Sequence, residues 1–408
     1  MKILLLTQWF DPEPHFKGLL FAKALQARGH SVQVLTGFPN YPGGKVYPGY
    51  KIRLWQREVM EGVPVLRVAL YPSHSRSAIG RAMNYISFAL SASILGTLLA
   101  RKADVAYVYH PPITIGLPAI CLKYLRRIPF VYDIQDLWPD TLTATGMVRS
   151  SRVLKLLGWW CRRVYRASNR IAVLSPGFKK RLRERGVPEG KISVIYNWSH
   201  PVAKAPSNNT LERQVQGKFV ILFAGNMGAA QGLDTVLDAA KLVGIKYPAV
   251  CFALAGSGVD DERLRQRVKS EGIENVIFLG RWPPKAMGTL YTRADALLVH
   301  LRDEPLFEIT IPSKTQTYLA AGKPILIGGR GDALDLVRAA QAGIVFAPGH
   351  AAAMAEAVDT LLAMSQSERE RMGCAGQAYY DTYLSLAAGV RAFEEEFARA
   401  AGVETCAA

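Results

Sequence analysis

The sequence predicts an α/β protein of two doubly wound domains, and three observations carry that prediction. Short, β-rich apolar runs alternate with longer helix-like segments, the pattern of βαβ units and parallel strands. The alternation runs twice, interrupted once by SHPVAKAPSNNTLERQVQ (199–216), a polar break bearing Pro, Ser and Asn. The chain has 408 residues, enough for two domains, and at 50% hydrophobic and 20% charged it has the balance of a packed globular protein. Disorder, a collagen-like fibre and a small disulfide scaffold are excluded. A polytopic membrane protein is disfavoured, because no run of about 20 uninterrupted apolar residues occurs.

The elements follow in order. The first six residues are too short for a secretory apolar region of about 7–15 residues and read as a first buried strand. Leu19 to Arg28, closed by Gly29, is an amphipathic helix with a glycine stop. Further strands are predicted at 32–35, 65–68, 105–108, 130–132, 171–174 and 192–196. The pattern restarts at 219–224 and continues at 251–255, 276–279, 296–300, 324–327 and 344–346. The tail from Ser367 to about Gly402 is helical in composition. Five cysteines (Cys121, Cys161, Cys251, Cys374, Cys406) are widely spaced and odd in number, with no zinc-knuckle or redox spacing, so a reducing, cytosolic compartment is expected.

Charge is unevenly divided. Residues 1–200 hold 29 Lys/Arg against 10 Asp/Glu, whereas residues 201–408 hold 21 against 23. The whole excess, +19, therefore lies in the first half, which suggests a face that meets an anionic surface. MNYISFALSASILGTLLA (83–100) is bracketed by Arg76, Arg81, Arg101 and Lys102. Basic flanks around an apolar helix suit a segment lying in the headgroup layer; the alternative is a buried core helix. Aromatic-interleaved RNA motifs are missing, so lipid ranks above nucleic acid as partner.

In doubly wound sheets ligands sit outside the carboxyl ends of the strands, so the chemistry is sought in those loops. The first strand runs into PEPHFKG (12–18), where Lys17 and the backbone at Gly18, beside His15, offer a helix start to a phosphate. Three spaced glycines are absent there, which disfavours a dinucleotide-dependent dehydrogenase. The second strand leads to GFPNYPGG (37–44), a rigid turn displaying the Asn40 amide and the Tyr41 phenol to a sugar. His110 ends the next predicted strand but one, and Asp133, Gln135, Asp136, Trp138 and Asp140 follow strand 130–132. Carboxylates there orient hydroxyls or accept a proton and an indole packs a sugar face; a helix-start cap is the alternative.

In the second half Gly225, Asn226, Gln231 and Gly232 lie between a strand and a helix, a cradle for a diphosphate, and the glycines around Gly256 repeat the device. Arg281 and Trp282 offer a cation and a ring to a base. Ser313 and Lys314 start a helix that runs past Thr317, with Glu308 just ahead, and a lysine there neutralises charge on a leaving phosphate. No Asp-x-Asp pair occurs, so no nucleotide-bound metal of that type, and no cofactor, is expected.

Eight stretches in order, PEPHFKG, TGFPNYPGGKVYPGY, YHPP, YDIQDLWPD, LSPGFKKRL, VIYNW, FAGNMGAAQGLDT and IPSKTQTYLAAGKP, resemble the retaining glycosyltransferases of family 4. Within them the likeness is to L-fucosamine (N-acetylamino-sugar) transferases of bacterial O-antigen and capsule assembly. The resemblance covers nearly the whole chain. It implies the GT-B fold, two Rossmann-like domains facing a central cleft: 1–198 for the acceptor, a 199–216 linker, 217–380 for the donor, and a helix in 381–408 packing back on the first domain. A UDP-sugar is the implied donor and a polyprenyl-diphosphate-linked sugar the implied acceptor, used at the inner face of the plasma membrane without metal. Asp136, Gln135, Lys314 and Glu308 become the catalytic candidates. Gly225, Asn226, Gln231, Gly256, Arg281, Trp282, Ser313 and Thr317 would hold the donor. His15, Lys17, Gly18, Asn40, Tyr41, His110 and Trp138 would hold the acceptor.

Five positions depart from the family pattern. Thr317 and Ile309 stand where it has two glutamates, with Glu308 one position off; Asn226 and Gln231 replace an Arg/Lys pair; Gln135-Asp136 replaces His-Asp. Lys314 is left as the cation for the diphosphate. A GT-B nucleotide-sugar epimerase and a non-catalytic sugar- or lipid-binding partner are the alternative functions.

Overall fold

A computed structural model describes residues 1–73, 78–144, 148, 150–199 and 213–403. The chain divides into two compact units, one made of Met1–Ile195 with the segment from Gly389 onward, the other of Tyr196–Ala388. These breaks fall a few residues from the expected 198 and 380 because the connecting residues belong to the second unit. Tyr196 packs against its core, and the N–H of buried Ser199 donates to the Tyr380 hydroxyl at 3.1 Å. The greater part of the expected linker, 200–212, lies outside the described residues.

The first unit is built on eight strands: β1 (Lys2–Leu6), β2 (Ser31–Gly37), β3 (Trp55–Met60), β4 (Val63–Val68), β5 (Val105–His110), β6 (Phe130–Ile134), β7 (Arg170–Val173) and β8 (Ile192–Val194). Their order is β3-β4-β2-β1-β5-β6-β7-β8. All pairs are parallel except β3–β4, an antiparallel edge hairpin turned at Glu61 and Gly62, both at positive φ. The all-parallel expectation is corrected at this edge. WQREVM carries no apolar run because its outer face meets solvent, and its alternating half-buried pattern is that of an edge strand.

The second unit has six parallel strands: β9 (Phe219–Asn226), β10 (Val250–Ser257), β11 (Val276–Gly280), β12 (Ala296–His300), β13 (Ile325–Gly328) and β14 (Gly343–Phe346), in the order β11-β10-β9-β12-β13-β14. Both faces are covered, so β9 reads as a continuous apolar run. Val220, Leu222 and Ala224 enter one core cluster, Ile221 and Phe223 the other. Strand order reverses between β1 and β5 in one unit and between β9 and β12 in the other, which opens a crevice at their carboxyl ends.

The final helix, Leu386–Ala401, is part of the first unit from Gly389 on. Phe393 packs on Phe21 and Tyr107, while Glu394 pairs with Arg28 and Glu396 with Arg170.

The apolar stretch 83–100 belongs to a helix running from Ala78 through a π-helical turn at Ala92–Gly96 to Leu99. One face is core: Phe88, Ala89 and Ala92 are buried, and a Cβ on Gly96 would lie 2.4 Å from the Leu35 side chain. Asn84, which interrupts the apolar run, is buried too, donating to Asn40 and to the Tyr71 carbonyl and accepting from Gln8. The other face is apolar and exposed. Ile79, Met83, Ile86, Leu90, Ile94 and Leu98 recur at helical spacing, with Ile79 74% and Leu98 72% accessible. Neither alternative drawn from the sequence describes this helix alone, since it is core on one side and uncovered on the other. By length and composition Ile79–Leu99 is sufficient to cross a membrane. Arg101 and Lys102 follow it, exposed; Arg76 lies outside the described residues.

Candidate functional site

At the carboxyl ends of β9 and β10 lies a groove of about 610 Å³. Backbone geometry makes it. Gly225 and Gly256 hold φ of 152° and 130°, and a Cβ on Gly256 would lie 1.9 Å from the Gly225 carbonyl oxygen, so two strand-end loops meet at a distance only glycine permits. Gly232, at φ 56°, then starts the Leu233–Lys246 helix. All eight residues expected to hold a donor (Gly225, Asn226, Gln231, Gly256, Arg281, Trp282, Ser313 and Thr317) line the groove, and so does Lys314.

Lys314 is the electrostatic centre. It enters from the first turn of the Ser313–Ala321 helix, and Tyr318 of that helix clamps it to β9 by accepting the Ala224 N–H at 2.8 Å. The Lys314 ammonium donates to Gln231 Oε1 at 2.6 Å and lies 3.9 Å from the Phe223 ring centre, with no carboxylate paired to it among the described residues. Burial without a counter-ion lowers its pKa to about 7. His300 fixes the loop from behind. Its Nδ1 meets the Gln231 carbonyl at 2.7 Å, its Nε2 accepts the Gly349 N–H at 3.4 Å, and burial lowers its pKa. Arg281 is held by the Ser257 hydroxyl, and Trp282 donates from Nε1 to the Leu279 carbonyl at 3.1 Å. The Thr317 hydroxyl donates to the Ser313 carbonyl of its own helix.

Glu308 is not part of this groove, which corrects its grouping with Lys314. It ends the short Pro305–Glu308 turn, where its carbonyl would be 1.9 Å from a Cβ on Gly331, and it lines a separate groove at the end of β13.

In the first unit several residues expected to meet an acceptor are structural. Lys17 and Asp133 form a fully buried ion pair at 2.6 Å, and the Tyr107 hydroxyl donates to the same carboxylate at 2.6 Å. Lys17 is therefore committed inside the fold. The helix start at Gly18 is also taken: Asp11 accepts the Leu19 N–H at 2.7 Å, and a Cβ on Gly18 would strike that carboxylate at 2.2 Å. Asn40 is buried rather than displayed, donating to the Phe38 carbonyl at 2.9 Å and accepting from Asn84.

Other residues gather at the reversal point. His15, its pKa lowered to about 3 by burial, packs its ring 4.4 Å from Tyr109 and meets the Thr7 hydroxyl at 3.2 Å. Tyr109 feels Asp133, Asp136 and Tyr41, and burial raises its pKa. Tyr41 packs on Trp9, their rings tilted by 38° with centres 5.1 Å apart. Buried His110, also at about 3, packs against Trp138, and its carbonyl accepts the Gln135 N–H. Asp136 is half-buried and has no ion-pair partner among the described residues, and burial raises its pKa. Asp140 is paired with Arg185.

Residues 19–198 match the glycosyl transferase 4-like domain and residues 210–379 the glycosyl transferases group 1 domain. The chain belongs to the glycosyltransferases. It is 27% identical over 340 residues to WcaI of Escherichia coli K12, named a colanic acid biosynthesis glycosyl transferase, covering 79% of this chain and 82% of that one. It is 26% identical over 262 residues to the Pseudomonas aeruginosa glycosyltransferase WbjE, covering 62% and 64%. Anabaena Alr3699/HepE in complex with UDP-glucose superimposes with a TM-score of 0.66 at 18% identity, over 98% of this chain and 99% of that one. The fold of this glycosyltransferase is GT-B.

Sequence reasoning missed three residues of the glycosyltransferase. His300 ends a strand as an ordinary buried residue, and only the fold brings it under Gln231. Tyr109 sits beside the noticed His110. Glu13 accepts the N–H groups of Phe10, Asn40 and Tyr41 at 3.1, 2.7 and 2.7 Å, joining the loops after β1 and β2. Its signal is a lone carboxylate in PEPHFKG, and two of its three partners, Asn40 and Tyr41, lie 27 and 28 residues along the chain.

Proposed function

We propose that this glycosyltransferase moves a sugar, with retention, from a UDP-sugar to a polyprenyl-diphosphate-linked sugar in bacterial polysaccharide assembly. In this reading the donor sugar is an N-acetylated amino sugar of the N-acetyl-fucosamine class, and the protein works peripherally at the inner face of the plasma membrane. The observation that carries the reading is the Lys314 groove, where one unpaired ammonium faces a glycine-built loop at a helix start. Negative charge grows on the nucleotide diphosphate as the glycosidic bond breaks, and a preorganised cation with backbone N–H groups stabilises that charge most when it is largest. Lys314 would thus supply the charge that a metal supplies elsewhere. Arg281 and Trp282 at the groove's edge would take the base.

Asp136 would receive the proton of the attacking acceptor hydroxyl, with Gln135, Trp138, His15 and Tyr41 shaping the acceptor's place. Its raised pKa suits a proton acceptor better than an ordinary aspartate would. The exposed apolar helix face and the +19 half support an anionic bilayer, rather than nucleic acid, as the partner surface. The names of WcaI and WbjE and the UDP-glucose bound by HepE support the same direction.

Thermal stability against UDP-, GDP- and dTDP-sugars in EDTA tests this. Ligand at a hundred times its Kd adds about 2.7 kcal/mol, or roughly 5–11 °C for a domain of this size. One UDP amino sugar should raise the midpoint by that amount. No shift with any nucleotide sugar would refute the donor site.

A further inference from the structure

The Ser151–Ala167 helix carries Arg152, Lys155, Arg162, Arg163 and Arg166 and no acidic residue. One of its faces forms the wall of a second groove, about 550 Å³, with Pro139 and Arg185 opposite. Pro139 follows Trp138 at the carboxyl end of β6, so this groove adjoins the acceptor loops. Arg185 is neutralised by Asp140 and donates to the Trp138 carbonyl at 2.8 Å, which fixes that wall. Lys155 and Arg162 are different: among the described residues neither has a carboxylate partner. They stand seven residues apart, two turns or about 10 Å along the helix, a gap that two long side chains can close. Gly158 lies between them with no side chain, and the Arg162 guanidinium folds toward it, 3.6 Å from where a Cβ on Gly158 would stand.

The lining is otherwise apolar, with Leu154 and Tyr165 among it. Beyond it on the same helix, Val153, Leu156 and Trp159 are exposed, Leu156 by 62%. The helix packs on Gly116–Arg126, which exposes Tyr124 and Leu125 and packs in turn on the helix bearing the exposed apolar stripe. Two cations without a carboxylate partner among the described residues, beside the apolar surface of Leu154 and Tyr165, fit a doubly anionic head on an apolar chain.

We propose that the groove between Lys155, Gly158 and Arg162 binds the diphosphate of a polyprenyl diphosphate, with its first isoprene unit against Leu154 and Tyr165. The assignment rests on the transferase reading for the identity of the lipid. It adds a site for the acceptor's lipid anchor, beside the acceptor loops and separate from the donor groove.

Retention of the full-length protein on neutral phosphatidylcholine vesicles, with and without polyprenyl diphosphate, tests the site. The wild type should gain at least tenfold in retention from the lipid diphosphate and be displaced by inorganic diphosphate. Lys155→Ala/Arg162→Ala should lose that gain, and Gly158→Leu, whose side chain displaces the Arg162 guanidinium without changing charge, should lose it too. Unchanged melting points and an unchanged donor-induced thermal shift would exclude misfolding as the cause. Full gain in both variants would overturn the proposal. So would an equal gain from phosphatidylglycerol of matched charge, which would assign the groove to bilayer headgroups, or a failure of inorganic diphosphate to compete. If the wild type gains retention but no nucleotide sugar shifts its melting point, the groove stands and the transferase reading fails.

Discussion

Lys314 makes a prediction that can be worked through quantitatively. Its amine lies over Phe223 and against Gln231, with neutral His300 behind the loop and no carboxylate facing it among the described residues. At a pKa of about 7, roughly half the ligand-free molecules carry the ammonium at neutral pH. A bound diphosphate beside the amine raises that pKa again, so donor binding takes up a proton. The sign follows from this: affinity is greatest below pH 7 and falls as pH rises from 7 toward the bound-state pKa. A nucleotide sugar's diphosphate diester does not titrate in that window, so the slope belongs to the protein. A hydrogen bond to a charged group contributes about 1.5–3 kcal/mol, so Lys314→Ala should weaken the donor about ten- to hundredfold at pH 6.5 and flatten the pH dependence. Calorimetry in two buffers of different ionisation enthalpy should record about half a proton taken up at pH 7 by the wild type and none by the variant. Equal affinity, or equal proton uptake in both, would refute the role of Lys314.

Three further outcomes are expected. Asp136→Asn should leave the donor-induced thermal shift intact while transfer falls at least a hundredfold; the wild type's acid limb, set above the ordinary aspartate range by burial, should vanish from what activity remains. Lys17→Met strands the Asp133 carboxylate in the interior and should cost about 3–5 kcal/mol in denaturant unfolding, whereas Lys17→Met/Asp133→Leu should recover a measurable part of that loss. Ile94→Glu/Leu98→Glu places charges on an exposed face, so the melting point should hold while pelleting with anionic vesicles drops severalfold. Unchanged pelleting would show that this stripe faces something other than lipid.

Much of this was legible in the sequence. Thirteen of the fourteen strands announce themselves as apolar runs because parallel strands are covered on both faces. Only β3 escapes, its outer face being wet. The Lys314 groove was legible for the same local reason: glycine loops and a helix start are short-range signals, and Gly225, Gly256 and Lys314 are placed by backbone geometry and position in a turn. In the first unit the loops were legible but the roles of their polar residues were not. Lys17, Gly18 and Asn40 look like ligand groups in a loop, but each has found a partner far along the chain: Asp133 is 116 residues from Lys17, and Asn84 is 44 from Asn40.

By itself, then, the sequence determined the two-sheet architecture, the glycine-built loop that Lys314 faces, and the basic first half. These rest on periodicity, backbone permissiveness and charge count, all readable within a few residues of one another. Only the tertiary structure decided which polar groups are spent and which are free. Burial makes an unpaired charge so costly that Lys17 must be matched with Asp133, while Lys314, Lys155 and Arg162 have no carboxylate partner among the described residues. It also decided that one helix is core along Phe88 and Ala92 and uncovered along Ile86 and Ile94, because a side chain's face depends on what packs against it, which composition does not encode.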